Sequence, residues 1–202
     1  MLSPLLAMLA LHRHEVALHS WRVSLLTETL ACRLHFAEQE IVRLLLAARL
    51  HDVGKLVIPA RLLDKPNSLT LQERTPMRTH PERGQQMLLH VGGMGKQLAP
   101  LVVAHHECWD GSGYPYGLKD NGIPQGARLL SVADAYDAMC SERPYRKSLE
   151  AWEVRMELQR GAGRQFDPQV CEMFLRMLDE EPNMFALFHR STMTRTALPC
   201  QT

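Results

Sequence analysis

Ile41-Val42-Arg43-Leu44-Leu45-Leu46-Ala47-Ala48-Arg49-Leu50-His51-Asp52-Val53-Gly54-Lys55 is an amphipathic run that ends on an imidazole and a carboxylate. Ile41, Leu44, Leu45 and Ala48 fall at i, i+3, i+4 and i+7, the spacing of one buried helical face. Gly54 is expected to end this helix just after the His-Asp pair. Neighbouring residues point about 100° apart round a helix. His51 and Asp52 at a helix end therefore suit two neighbouring ions better than chelation of one.

The same period recurs along the chain. Leu129, Val132, Ala133 and Tyr136 repeat it, as do Val170, Met173, Phe174 and Met177, and alternating strand-like stretches are absent. Thr70-Leu71-Gln72-Glu73 fits a capping box opening a helix toward His80, with Pro81 marking a boundary. Asp167-Pro168 offers an N-cap followed by proline at the first helical position. The expectation is an all-α bundle with a metal site in its core. One connection, from 107 to about 125, is long and rich in glycine and proline, and loops of that size usually serve a function or are disordered. The tail after Met184 carries little pattern and is expected to be partly disordered.

Bulk composition narrows the classes. With 202 residues, the chain can bury one substantial core. A formal net charge of +1 argues against non-specific binding to DNA or RNA duplexes, which needs a basic excess, so an anionic substrate must be drawn by a local site. Cys32, Cys108, Cys140, Cys171 and Cys200 are odd in number and form no C-x-x-C pair, which points to a reducing compartment and away from a zinc ribbon. The apolar start, 2–11, lacks a basic leader and falls short of the roughly 18 apolar residues of a membrane span. It reads as a helix of a cytoplasmic protein, running on into Glu15 and His19, with no membrane insertion.

Candidate ligands come from five helices. Glu15 and His19, four apart, project from one helical face. His51 and Asp52 follow, then His80, the adjacent pair His105-His106, and Asp134. Bundles commonly build metal sites from such inward-facing side chains. Taken singly, a buried histidine is more often a hydrogen-bonded core residue, and Glu15/His19 alone would be a surface pair. Their joint occurrence favours a multi-metal hydrolase of phosphate esters. His12, His14, His35, His90 and His189 are weaker candidates, and Asp137 is expected to hold a neighbouring side chain or backbone group.

Two motifs carry a resemblance. His51-Asp52-Val53-Gly54-Lys55 resembles the signature of HD-superfamily phosphohydrolases. His105-His106-Glu107-Cys108-Trp109-Asp110-Gly111-Ser112-Gly113-Tyr114-Pro115 is similar to the hallmark of the HD-GYP branch. Lys65-Pro66 with Leu69-Thr70, the stretch 77–81, Asp134-Ala135-Tyr136-Asp137-Ala138, Arg143-Pro144-Tyr145-Arg146 and Gln165-Phe166-Asp167-Pro168 follow in the family's order, over roughly 6–178. Cys108 departs from it, standing where arginine is frequent. The resemblance implies an HD-superfamily bundle over 1–184, with 185–202 as a tail, and a long GYP loop beside the metals.

The family hydrolyses the bacterial messenger cyclic di-GMP. Carried onto this chain, the resemblance implies that His51, Asp52, His80, His105, His106 and Asp134 bind two metals, with Asp52 bridging, and that Glu15 and His19 allow a third. The ions are expected to be iron or manganese, with zinc, cobalt or nickel also compatible with imidazole and carboxylate donors. Glu15, Asp52 and Asp134 bring three negative charges against four or six from two or three divalent ions, so the centre stays electropositive. Asp52 and Lys55 are the expected catalytic residues. Lys55, Gly113, Tyr114, Pro115, Arg143 and Arg146 are the expected substrate contacts. The expected reaction is in-line attack by a hydroxide shared between ions, giving pGpG and then GMP. A cyclic di-GMP-binding or protein-interaction module, and a hydrolase of another cyclic nucleotide, remain as alternatives. A second copy of the chain or a regulatory protein remains open as a partner.

Overall fold

The computed structural model describes residues 2–141 and 148–181. Among the described residues ten α-helices follow in order, α1 (Ser3–His12), α2 (His14–Arg33), α3 (Glu38–Leu50), α4 (Ala60–Leu63), α5 (Leu71–Met77), α6 (His80–Val91), α7 (Met94–Val103), α8 (Gln125–Cys140), α9 (Ala151–Gly161) and α10 (Pro168–Glu180). A single β-bridge, Ala162 to Phe166, is the only extended pairing described. The all-α expectation holds. No described helix is long and apolar enough to cross a membrane.

Local chemistry sets the helix starts. Thr70 accepts the Glu73 N–H while Glu73 Oε2 accepts the Thr70 N–H, the reciprocal pair that satisfies two otherwise orphaned donors. Asp167 caps α10 through the N–H of Gln169, with Pro168 at its first position. The Thr70 helix stops at Met77, and His80 opens the next one with Pro81 in its first turn.

Two expectations about boundaries are revised. The apolar start does not run unbroken into Glu15 and His19: Arg13 takes φ −147°, ψ 70° between α1 and α2. Its Nη1 reaches Asp64 Oδ1 at 2.5 Å, a contact across 51 residues of sequence. Gly54 does not end α3 either. That helix ends at Leu50 with His51 as its C-cap, and Gly54 lies inside a following 3-10 turn, Val53–Val57.

Two apolar clusters meet along α3. One joins Val23, Leu26 and Leu30 of α2, Leu44 and Ala48, Leu129 and Leu130 of α8, Leu158 of α9, and Phe174 and Met177 of α10. The other joins Ala47, Leu50 and Val53 to Leu88 of α6 and Leu98 and Val102 of α7. Each fully buried leucine contributes roughly 1.5–3 kcal/mol relative to exposure. That surplus tolerates the charged cluster described next, which costs stability by itself. The packing of α2, α3, α6, α7 and α8 around one another brings one segment carrying candidate ligands from each to a common centre.

Candidate metal centre

His19 comes from α2, and His51 and Asp52 follow the end of α3. His80 opens α6, His105 and His106 follow α7, and Asp134 lies on α8. Three groups of ligand atoms lie within 4.8 Å of one another: His80, His105 and His106; His19, His51 and Asp52; His51, His105 and Asp134. His51, Asp52, His80 and His105 are each at most 2% exposed. Seven of the eight expected ligands therefore converge. Glu15 is exposed and joins none of the three groups. His12, His14, His35 and His90 are exposed as well.

The ring orientations argue for cations. His51, His80 and His105 each bond through Nδ1 to the carbonyl three residues back, Ala48 at 2.7 Å, Met77 at 2.8 Å and Val102 at 2.6 Å. A neutral ring that donates from Nδ1 has only a lone pair at Nε2. The Nε2 atoms of His80 and His105 nevertheless face each other at 3.3 Å. His51 Nε2 and Asp52 Oδ1 are buried with no hydrogen-bond partner, although His80 Nε2 stands 3.2 Å from that Asp52 oxygen in poor alignment. Buried lone pairs that point at one another are costly unless a cation lies among them. Imidazole and carboxylate donors without thiolate suit divalent first-row metals, so the residues fit a metal centre.

Electrostatics keep the donors in their ligating forms. Burial pushes His105 far below the ordinary histidine value, and the neighbouring rings of His106, His51 and His80 push the same way. Burial also lowers His51, against the pull of Asp52 and Asp134, and takes His106 down to about 4. For Asp52 and Asp134, burial favours the neutral acid but is outweighed. Lys55 and His51 hold Asp52 well below the usual carboxylate range, and His19 does the same for Asp134. Neutral imidazoles around ionised carboxylates are what a metal centre requires.

His19 behaves differently. Its Nε2 lies 3.0 Å from Asp134 Oδ1 and its Nδ1 2.7 Å from Asp137 Oδ2. Burial opposes its charge, but the two carboxylates outweigh that and raise it to about 9. Asp137 is itself held by Arg22, Nε to Oδ1 at 2.5 Å and Nη2 to Oδ2 at 2.8 Å, and by Ser141 Oγ at 3.3 Å. Asp137 thus orients His19, a candidate ligand, from behind. Arg22 and Ser141 escaped the sequence reading, although Arg22 sits three residues after His19 on the same helix, a spacing that could have flagged it. Partners behind metal ligands typically carry 10–100-fold in metal affinity. Asp137→Asn, which keeps the volume and one acceptor, is expected to weaken metal binding by about tenfold. Chelator competition checks it, and unchanged affinity would count against the orienting role.

The GYP loop closes one side. Tyr114 stacks on His106, with centroids 4.9 Å apart and planes at 26°. Its phenol is raised chiefly by burial, with Arg78 opposing and Asp52 and Asp134 adding. Glu107 is buried and accepts the N–H groups of Tyr116 at 2.7 Å and Leu118 at 3.0 Å, a tie the sequence reading missed. Gly113 has a packing reason: a Cβ there would stand 2.2 Å from the Cys108 nitrogen. Lys55 Nζ is 2.6 Å from Asp52 Oδ2. Pro115 is partly buried beside Tyr114. Arg143 and Arg146 lie outside the described residues, as does the tail 185–202. Cys32, Cys108, Cys140 and Cys171 are free thiols.

The HD-domain family model matches residues 4–170. The chain belongs to the HD-domain family. Its loop motif and its relatives place it in the HD-GYP branch. A Thermotoga maritima protein named a cyclic di-GMP phosphodiesterase is 37% identical over 172 residues, 85% of this chain and 47% of its own length. The Xanthomonas campestris cyclic di-GMP phosphodiesterase response regulator RpfG is 40% identical over 161 residues, 77% of this chain and 41% of its own. A Vibrio cholerae 3'3'-cGAMP-specific phosphodiesterase is 39% identical over 167 residues, 82% of this chain and 32% of its own. The HD domain thus spans less than half the length of these relatives. The L. monocytogenes PgpH HD domain shares the fold at TM-score 0.63 and 15% identity, over 97% of this chain and 99% of that one.

Proposed function

We propose that this HD-GYP domain is a metal-dependent phosphodiesterase that opens cyclic di-GMP to linear pGpG and cuts that product on to GMP. The observation that carries the proposal is the pair of buried, partnerless atoms, His51 Nε2 and Asp52 Oδ1, in a centre walled by Tyr114. Relatives named for the same reaction, at 37% and 40% identity, support the substrate class. Divalent ions held by His51, Asp52, His80, His105, His106 and Asp134 would acidify water and polarise the phosphoryl oxygens.

The residues of the chain do the rest. Lys55 keeps Asp52 ionised and adds a positive charge where a phosphate would enter. Tyr114 offers an aromatic wall for a base, and Gly113 and Pro115 shape the turn that presents it. Arg143 and Arg146 supply further phosphate contacts by their planar forks. Water adds across one phosphodiester: a P–O bond forms, the P–O3' bond breaks, and the released 3'-oxygen takes a proton. The resident ions are iron or manganese. Glu15, one turn before His19 on α2, supplies a donor for a third ion. Three metals per chain in the wild type and two in Glu15→Ala are expected by elemental analysis, and equal stoichiometry would remove Glu15 from the centre. The expected setting is the cytoplasm, where thiols stay reduced.

The decisive experiment is anaerobic purification with metal analysis, then product analysis on cyclic di-GMP, 3'3'-cGAMP and cyclic di-AMP. Turnover of cyclic di-GMP to pGpG and GMP supports the proposal. The V. cholerae relative at 39% identity favours a second reading with 3'3'-cGAMP as substrate. A fully loaded protein that binds a dinucleotide and cuts none would be a binding module.

A further inference from the structure

Arg78 stands two residues before the ligand His80, at the end of α5. Its N–H bonds to the Arg74 carbonyl at 2.8 Å, and the His80 ring grips the adjoining Met77 carbonyl from inside. The guanidinium is therefore carried by a short turn tied to the metal ligands.

Several arginines of the domain end on carboxylates, as Arg22 does on Asp137 and Arg128 on Asp167, whereas others, such as Arg43 and Arg74, reach only backbone carbonyls. Arg78 is exposed, and among the described residues no carboxylate pairs with it. Its Cζ lies 5.0 Å from the centroid of the Tyr114 ring, the same ring that stacks on His106. A guanidinium, a phenol and a ligand imidazole thus form one stack running from the surface to the metal centre. An exposed cation–π contact is a weak hold. A guanidinium exchanges it readily for the paired oxygens of a phosphate, which its planar fork fits.

The substrate chemistry supplies the need. A cyclic dinucleotide carries two phosphodiesters, and when one lies over the metal ligands the other remains charged and requires a cation outside them. We infer that Arg78 is a phosphate-binding residue of this site, resting on Tyr114 in the free protein and taking the second phosphodiester of the bound cyclic dinucleotide. The inference rests on the phosphodiesterase reading and names a contact that reading did not contain.

The test uses the metal-loaded full chain with cyclic di-GMP as probe. Arg78→Ala is expected to raise KM by about tenfold, the size of a lost charged hydrogen bond, and to leave kcat within about threefold. Metal content and thermal midpoint should match the wild type, because the side chain is exposed. Arg78→Lys keeps the charge and should recover part of the loss. The rise of KM with added salt should be shallower in the alanine variant. An unchanged KM, or a KM change accompanied by metal loss, overturns the inference while the phosphodiesterase reading stands. If the wild type cuts no cyclic dinucleotide, that reading falls instead. Equilibrium binding of cyclic di-GMP to wild type and Arg78→Ala then decides on Arg78, with a tenfold weaker Kd expected and equal Kd values refuting it.

Discussion

Asp52→Ala is expected to abolish turnover, by about a thousandfold or more, and to leave the centre largely without metal. Metal assistance contributes several kcal/mol to such a reaction, and each 1.36 kcal/mol is tenfold in rate. Asp52 is 1% exposed and lies 3.5 Å from His51 Nε2 and 3.2 Å from His80 Nε2, so it is the carboxylate between two imidazole donors. Without it Lys55 loses its partner at 2.6 Å and places an uncompensated positive charge beside the ions. Stability should fall as well. In the metal-free protein Lys55 and His51 hold Asp52 ionised against its burial, so alanine breaks a buried pair. The thermal midpoint of the metal-free variant should therefore lie below that of the metal-free wild type, and the increment on adding metal should vanish. Asp52→Asn separates charge from volume and should fail in the same way. Wild-type turnover in either variant would remove Asp52 from the chemistry.

The reach of each contact along the chain explains which parts of the molecule were legible in sequence. Leu44, Ala48, Leu129, Val132, Phe174 and Met177 were readable as core because burial leaves a 3.6-residue period. Thr70 and Asp167 were readable as caps because a cap is local chemistry, spanning three residues or fewer. The ligand histidines stood out because two of them are adjacent and a third abuts an aspartate. Contacts across long sequence separations leave no such trace. The tie between Arg22 and Asp137 spans 115 residues, and that between Arg13 and Asp64 spans 51. Glu107 looked like part of a loop motif, yet its carboxylate fixes the backbone at Tyr116 and Leu118, which only the folded loop reveals. Glu15 is a mixed case. Its spacing from His19 puts it on the same helical face, and its side chain is exposed, so metal stoichiometry decides its part.

Gly54 is where local and long-range demands coincide, and Gly54→Ala is expected to be the most destabilising small substitution in the domain. In the sequence this glycine looked like a helix terminator. In the fold it is the point where the 3-10 turn after His51-Asp52 touches the first turn of α6. A Cβ at Gly54 would stand 1.9 Å from the His80 carbonyl oxygen and 2.7 Å from the Gly84 nitrogen. Both are backbone atoms of one helix, so no side-chain rotation relieves the clash and α6 itself must move. Overpacking against a core typically costs 1–3 kcal/mol, and a backbone clash belongs at or above the top of that range, about 3 kcal/mol. In a domain of this size that lowers the thermal midpoint by roughly 6–12 °C. The displacement also draws His80 away from Asp52, 3.2 Å distant, so metal affinity should fall with stability. Gly122→Ala is the matched control, since nothing lies within 4 Å of a Cβ there, and it should behave as wild type. A Gly54→Ala protein with wild-type midpoint and metal content would show that α6 is free to slide. The shared register of His51, Asp52 and His80 would then need another cause.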